Sequence, residues 1–177
     1  MLMPKVVTVS DWLEEHPLVS ASGKSFHTQA KLAGGQQKSY QFEKNSSNLT
    51  FYIPQGSSDV DVELLKLVKL FSKDALACRI GYHATRLNLG FERLTVRNQA
   101  TRWGSCSSKR CISLNWRLIL IEPKLQDYVI LHELAHLTEM NHSKRFWELL
   151  DYYDPLRRKH EADLKKVTPV IMRIGRD

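Results

Sequence analysis

Hydrophobic and polar residues follow a strand-like spacing early in the chain. Between residues 26 and 53, three short segments (26–32, 39–43 and 49–53) partly alternate and are separated by Gly34-Gly35 and by a polar run over 44–48. Alternation over such lengths is typical of short strands joined by turns. We expect a small antiparallel meander here. The preceding residues 1–24 are weakly patterned, and Asp11 could cap one helical turn that ends before Pro17.

The spacing becomes helical after residue 57. Ser57-Ser58-Asp59 offers N-cap side chains, and apolar residues then recur every three or four positions from Val60 to Cys78. Gly81 could mark an end or a kink, and Gly90 closes the region. The pattern predicts a long helix within residues 58–90.

Strand and helix signals alternate with turns in the rest of the chain. Strands are expected over 94–97, 102–106 and 111–116, with a hairpin turn at 107–110 that would place Cys106 opposite Cys111. Three helices should follow, one from Pro123 to about Thr138, one capped by Ser143, and one starting at Asp154-Pro155 and ending before Pro169. These elements predict an α+β fold, with a small antiparallel sheet packed on the helices.

Composition restricts the class of protein. A chain of 177 residues with 42% hydrophobic and 25% charged residues suits one globular domain. No segment has the apolar length of a membrane span, and acidic residues within the first 15 positions do not fit a secretory signal. The three cysteines have no CxxC spacing, which favours a reducing compartment. We therefore expect a cytoplasmic protein that does not enter a membrane.

Charge leaves one further class of partner open. The chain carries 26 basic and 19 acidic residues, a net charge of +7. Its densest basic run, Arg157-Arg158-Lys159, is followed at once by Glu161 and Asp163, a pattern that indicates a solvated helix face. Nucleic-acid binding stays an alternative without a specific module to support it.

The strongest chemical signal is the segment His132-Glu133-Leu134-Ala135-His136. On a helix, positions i and i+4 share one face, so the two imidazoles can bind one Zn²⁺ ion. Glu133 lies beside the first histidine, where its carboxylate can reach a metal-bound water and act as general base. The surrounding positions are strongly apolar, and an unpartnered ionisable group is costly to bury there.

A third ligand decides the kind of site. Three histidines plus water would leave an open, catalytic position on the metal. His142 lies six residues beyond His136, and a chain reversal through Met140-Asn141 would turn it back toward the metal. The other candidates downstream, either as ligands or as partners that orient an imidazole, are Glu139, Glu148, Asp151 and His160.

Several segments together resemble one family. The elements are Arg102-Trp103-Gly104-Ser105-Cys106-Ser107, Asn115-Trp116-Arg117-Leu118, the HExxH segment and Asn141-His142-Ser143. Their joint presence closely resembles the YgjP-like metallopeptidases, more loosely over residues 25–160. That family resembles WLM and SprT-type proteases, several of which act on proteins attached to DNA, and also the compact minigluzincins.

The resemblance implies a zincin-type active-site helix and makes His142 the third zinc ligand. It also implies a domain over 25–177, with a β-rich start (25–55), the long helix (58–90) and a catalytic core (91–177), after an N-terminal segment of residues 1–24. The expected function is hydrolysis of peptide or protein substrates by a zinc-activated water, with Glu133 as base. The alternatives are a nucleic-acid-associated protease or DNA-binding factor, and a non-catalytic zinc-stabilised scaffold.

Two details stay open at this level. The residue that stabilises the oxyanion could be Tyr152, Tyr153, Arg102 or His83. The ligand spacing equals that of metzincins, but Glu139 occupies their glycine position. The oligomeric state is not indicated.

Overall fold

A computed structural model describes residues 6–35 and 39–176 of the chain. It shows an α+β protein, which confirms the predicted class. The helices are α1 (Val9–Glu15), α2 (Val60–Arg86), α3 (Pro123–Ala135), α4 (Lys144–Tyr153) and α5 (Arg157–Ile171), with a 3-10 helix at Trp116–Leu120. The strands are β1 (Leu18–Ala21), β2 (Lys24–Ala33), β3 (Tyr40–Glu43), β4 (Asn48–Pro54), β5 (Arg93–Arg97), β6 (Gly104–Cys106) and β7 (Cys111–Asn115).

The first sheet has the strand order β1-β2-β4-β3, so the predicted antiparallel meander is wrong. β4 is parallel to β2 and antiparallel to β3, and it lies between them. Leu49, Thr50 and Phe51 of β4 are all buried, which means that both of its faces are covered. β3 is half-buried on the face of Tyr40 and Phe42 and exposed on the other, and it takes the edge. The most apolar strand therefore occupies the interior of the sheet.

The second sheet has the order β5-β7-β6, with β7 parallel to β5 and antiparallel to β6. The three predicted strands and the hairpin are confirmed, but the register differs by one residue from that expected. Cys106 pairs with Ile112 rather than with Cys111, because Arg110 adopts a positive φ of 58° in the turn. Both cysteines are free thiols.

The long helix α2 forms the centre of the core. Asp59 caps it by accepting a hydrogen bond from the Val62 N–H, as predicted. Its apolar stripe is buried, including Val68, Leu76 and Ile80, and packs against β4 and the 3-10 helix. The helix continues through Gly81 and ends at Arg86.

The N-terminal residues join the fold. The cap of α1 is Thr8, whose hydroxyl accepts from the Asp11 N–H, so Asp11 lies in the first turn and is not the cap. β1 follows and pairs with β2 through a two-residue turn at Ser22-Gly23, in which both residues have positive φ. The boundary drawn between residues 1–24 and 25–177 stays a prediction.

α4 and α5 close the C-terminal side. Ser143 caps α4 through its hydroxyl, as predicted. α5 continues past Pro169, so the expectation that the helix ends before this proline is wrong. Thr168, directly before the proline, donates from its hydroxyl to the Leu164 carbonyl, a local side-chain bond within the helix that often accompanies a bend. None of the helices in the described residues has the length and apolar character needed to cross a membrane.

Candidate metal centre

The helix α3 positions the first two histidines. Pro123 lies in its first turn, and buried residues such as Leu131 and Leu134 fix its orientation against the core. His132 is in the last turn, and His136 follows as the C-cap residue. Their rings lie 5.0 Å apart between centroids, on the same face.

His142 completes a cluster of three imidazoles. Its Nε2 lies 3.1 Å from the Nε2 of His132 and 3.1 Å from the Nε2 of His136. One ring nitrogen offers either a proton or a lone pair, so hydrogen bonding can satisfy only one of the two contacts. A metal ion satisfies all three, since ligands of a tetrahedral zinc with bonds of about 2.0–2.1 Å lie roughly 3.3 Å apart. The three side chains therefore fit one metal ion.

Protonation also favours metal binding. Burial, together with the neighbouring His136 and His142, lowers the pKa of His132 to about 4, and burial lowers the pKa of His136. Both rings are then neutral near pH 7, as ligands must be. The Nδ1 of His136 lies 3.1 Å from the Glu139 carbonyl oxygen. A proton on Nδ1 that is donated to this oxygen leaves the Nε2 lone pair free for the metal.

The other ligand candidates have partners of their own. Glu139 contributes its backbone carbonyl to His136, and its carboxylate is not part of the metal-ligating cluster found among the described residues. The remaining three form ion pairs or hydrogen bonds elsewhere: Glu148 with Lys144, Asp151 with Arg157, and His160 with Asp154.

Two aromatic residues of α4 stack on imidazole rings of the cluster. Phe146 is fully buried and stacks on His136, with centroids 4.4 Å apart and planes at 23°. Trp147 stacks on His142 at 5.5 Å and 20°. Arg157 in turn lies 4.7 Å over the Trp147 ring. These contacts restrict the orientation of His136 and His142. The spacing of the sequence does not indicate these stacking contacts.

Glu133 is the buried acid of the site, with 6% of its surface exposed. Burial raises the pKa of Glu133 to about 8. A carboxyl group with a pKa in this range can exchange a proton near neutral pH. A bound cation beside it opposes the shift by favouring the charged form.

Gly104 allows β6 to approach Glu133 closely. A Cβ atom at this position would lie 2.9 Å from the Glu133 Cγ and 2.9 Å from its Oε1. Real Cβ atoms essentially never approach so closely, so any side chain at this position would force Glu133 or β6 to move. The sequence contained this glycine within the RWGSCS element, but spacing alone does not indicate its contact with Glu133.

β6 is also an edge strand. The Asn115 N–H donates to the Trp103 carbonyl, and the Ser107 N–H donates to the Cys111 carbonyl, so odd-numbered residues face β7. In an antiparallel pair the intervening residues point the other way, and Gly104 and Cys106 therefore direct their backbone groups to the free edge. This edge adjoins Glu133 and can pair with an extended peptide.

Asn115 fixes the loop that leads into β6. Its fully buried side-chain amide donates to the carbonyls of Gln99 and Arg102, while its oxygen accepts from the Arg117 N–H. This explains structurally why an asparagine begins the NWRL element. In the sequence, the position of Asn115 between the apolar residues Leu114 and Trp116 was the available signal for a buried polar role.

The four residues considered as possible stabilisers of the oxyanion lie in different parts of the fold. Arg102 lines a cavity together with His132 and Glu133. Tyr153 is half-buried and hydrogen-bonds with Thr138, and Tyr152 is 80% exposed. His83 is buried in contact with Asp127 on the other side of α3, in a network with Arg79. Of these four, Arg102 is therefore placed beside His132, one histidine of the cluster.

A helix with two histidines one turn apart, a third histidine returning to them and a buried glutamate define a metallopeptidase-type centre. Residues 3–167 match the family described as YgjP-like, metallopeptidase domain. The chain therefore belongs to the YgjP-like metallopeptidase family.

Part of the chain is also similar to a solved metallopeptidase structure. The crystal structure of the metallopeptidase zymogen abylysin from Pyrococcus abyssi superimposes with a TM-score of 0.45 at 21% sequence identity. The match covers 52% of this chain and 94% of that one. Comparison with curated protein sequences gives no match.

Proposed function

We propose that this protein is a zinc peptidase in which His132, His136 and His142 hold the metal and Glu133 is the general base. The observation that carries the proposal is the convergence of three Nε2 atoms beside a buried glutamate and a free strand edge. Zinc in such a site lowers the pKa of a coordinated water to about 7 and polarises a carbonyl group.

The residues of the chain perform the remaining steps. The free edge of β6 binds the substrate backbone in extended form and brings the peptide bond next to α3. Glu133 accepts the proton of the attacking water and delivers it to the nitrogen of the leaving amine. Arg102, from the mouth of the adjoining cavity, is the candidate to stabilise negative charge on the carbonyl oxygen.

The absence of a fourth protein ligand in the described cluster favours catalysis over a scaffold role. The metal-ligating group comprises three histidines and no cysteine or carboxylate of the described residues. A structural zinc site is normally closed by four protein ligands, whereas a catalytic site keeps one position for water.

The basic run of α5 does not add support for nucleic-acid binding. Lys159 is exposed and pairs with Asp163, which matches the interpretation of a solvated helix face. Arg157 does not match it, because this residue is buried and pairs with Asp151. The alternative stays testable, because binding to nucleic acid would weaken steeply as salt is raised.

The function is tested with unfolded casein as substrate. The zinc-loaded protein should cleave it, the metal-free protein should not, and Glu133→Gln should bind zinc but lose activity by at least about a thousandfold, as expected for loss of an essential base. Glu148→Gln is the matched control, because this glutamate pairs with Lys144 on the surface. Full activity of Glu133→Gln would refute the assignment of the base.

A further inference from the structure

A cavity of about 240 Å³ opens beside His132 and Glu133. Its other walls are mostly apolar and come from three parts of the fold: Trp103 before β6, Val129 on α3 and Leu164 on α5. At roughly 30 Å³ per water molecule, the volume corresponds to about eight waters. A space of this size accommodates one amino-acid side chain and excludes a folded segment.

One wall of the cavity is held by a specific hydrogen bond. The Trp103 Nε1–H donates to the Thr168 hydroxyl over 2.9 Å, and this hydroxyl donates to the Leu164 carbonyl over 2.7 Å. The hydroxyl is thus used as both acceptor and donor, which fixes its orientation. Trp103 and Leu164 are tied to the same turn of α5, so the width of the cavity between them is set by Thr168.

The chemistry of Glu133 shows which substrate residue lies nearest to this cavity. In the mechanism proposed above, Glu133 delivers a proton to the leaving amine, so the residue that contributes this amine must lie beside Glu133. Antiparallel pairing of the substrate with β6 would lead to the same residue. A substrate strand paired antiparallel to β6 has its C-terminal part next to the beginning of β6, where Arg102 and Trp103 line the cavity.

We propose that this cavity receives the side chain of the residue directly after the cleaved bond, and that Trp103, positioned by Thr168, restricts it to apolar side chains of the size of Leu, Met or Phe. The inference rests on the peptidase function proposed above. Lys and Arg are disfavoured because Arg102, which lines the cavity, repels them. Asp and Glu are disfavoured because they would lose water against mostly apolar walls beside the Glu133 carboxyl group.

The expected selectivity follows from apolar contact. Each methylene group in a hydrophobic pocket changes kcat/KM by about tenfold or more. Peptides with Leu, Met or Phe after the cleaved bond should therefore be preferred at least about tenfold over those with Ala, Gly, Asp or Lys. Trp103 and Thr168 act on this preference and not on the attacking water.

The test is a digest of a proteome-derived peptide library by the full-length, zinc-loaded protein, with cleavage sites read by mass spectrometry. Thr168→Val removes the acceptor for Trp103 at nearly unchanged volume and should broaden the preference after the cleaved bond. Thr168→Ser keeps the hydroxyl and should retain the preference. Val129→Ala widens the cavity from α3 and should shift the preference toward larger side chains, independently of Thr168.

The outcomes separate this inference from the function on which it rests. If the wild type cleaves the library without preference after the bond, or selects only the residue before it, the cavity assignment is overturned and the peptidase function stands. An identical profile for Thr168→Val and Thr168→Ser, with both proteins folded by thermal melting, would overturn the role of Thr168. If no peptide is cleaved by the zinc-loaded protein, the proposed function itself fails.

Discussion

Substitution of Gly104 by alanine perturbs the centre without removing any functional group. The added Cβ would lie 2.9 Å from the Glu133 Cγ, whereas carbon atoms in contact prefer about 3.5–4.0 Å. Either the Glu133 side chain or β6 must therefore move by at least roughly 0.6 Å, the difference between these two distances.

The kinetic effect of such a shift can be estimated. A misplacement of about 1 Å in a catalytic group costs on the order of a hundredfold in rate. We therefore expect Gly104→Ala to lower kcat by about 10- to 100-fold, which corresponds to about 1.4–2.7 kcal/mol of barrier. Overpacking should also cost up to about 1–3 kcal/mol of stability. Zinc affinity should stay near that of the wild type, because the contact involves Glu133 and not a histidine.

The assay measures hydrolysis of a fluorescently labelled unfolded casein, zinc stoichiometry and the melting temperature for each variant. Gly81→Ala is the matched control, since a Cβ there meets nothing within 4 Å. It lies inside α2, where alanine is favoured over glycine by up to about 1 kcal/mol. Wild-type kcat in Gly104→Ala would refute the idea that close packing of β6 places the base.

Three further predictions concern the surroundings of the centre. Trp147→Ala removes the ring that stacks on His142 and should weaken zinc binding, measured by calorimetry, about tenfold. Trp12→Ala is the control and should leave zinc binding unchanged, because the Trp12 ring stacks on a histidine outside the metal-ligating cluster. Asp127→Asn should lower stability by about 2–3 kcal/mol at pH 7, somewhat less than for a fully buried pair. Burial alone would raise the pKa of Asp127, but hydrogen bonds from its basic partners hold it below its ordinary value. The contribution of Asp127 to the free energy of unfolding is therefore present above about pH 4 and lost as the pH falls through the lowered pKa. Urea titrations of the wild type and Asp127→Asn should give different stabilities at neutral pH and similar stabilities in acid. Asn115→Ala, which leaves buried carbonyls without donors, should cost about 2–3 kcal/mol by the same titration.

Local features of the chain were predictable where a short segment determines its own structure. The helix caps Asp59 and Ser143 bond to backbone groups three residues away, and such contacts depend on few neighbours. The face shared by His132 and His136 follows from helix geometry in the same way. These are the parts of the fold and of the site that sequence spacing describes well.

Long-range choices were not predictable from the same patterns. The position of β4 inside the first sheet depends on burial of both of its faces by elements distant in sequence. Continuation of α5 through Pro169 depends on packing that compensates a locally unfavourable residue. The turn at Ser22-Gly23, by contrast, is a known hairpin signal and could have revealed β1.

The same distinction applies within the site. Glu139, Glu148, Asp151 and His160 were open as ligands because spacing does not show which partners each side chain finds. In the folded chain Glu148, Asp151 and His160 form ion pairs outside the histidine cluster. Glu139 contacts His136 through its backbone carbonyl. The contact between Gly104 and Glu133 joins residues that are 29 positions apart, as their numbers show, and no periodicity connects them.

A crystal structure of the zinc-loaded protein, with anomalous data collected at the zinc absorption edge, tests the central claim most directly. We expect one zinc ion bound by the Nε2 atoms of His132, His136 and His142 at about 2.0–2.1 Å, with solvent in the remaining position and Glu133 beside that solvent but not on the metal. A fourth protein ligand in place of solvent, or a ligand set without His142, would contradict the account.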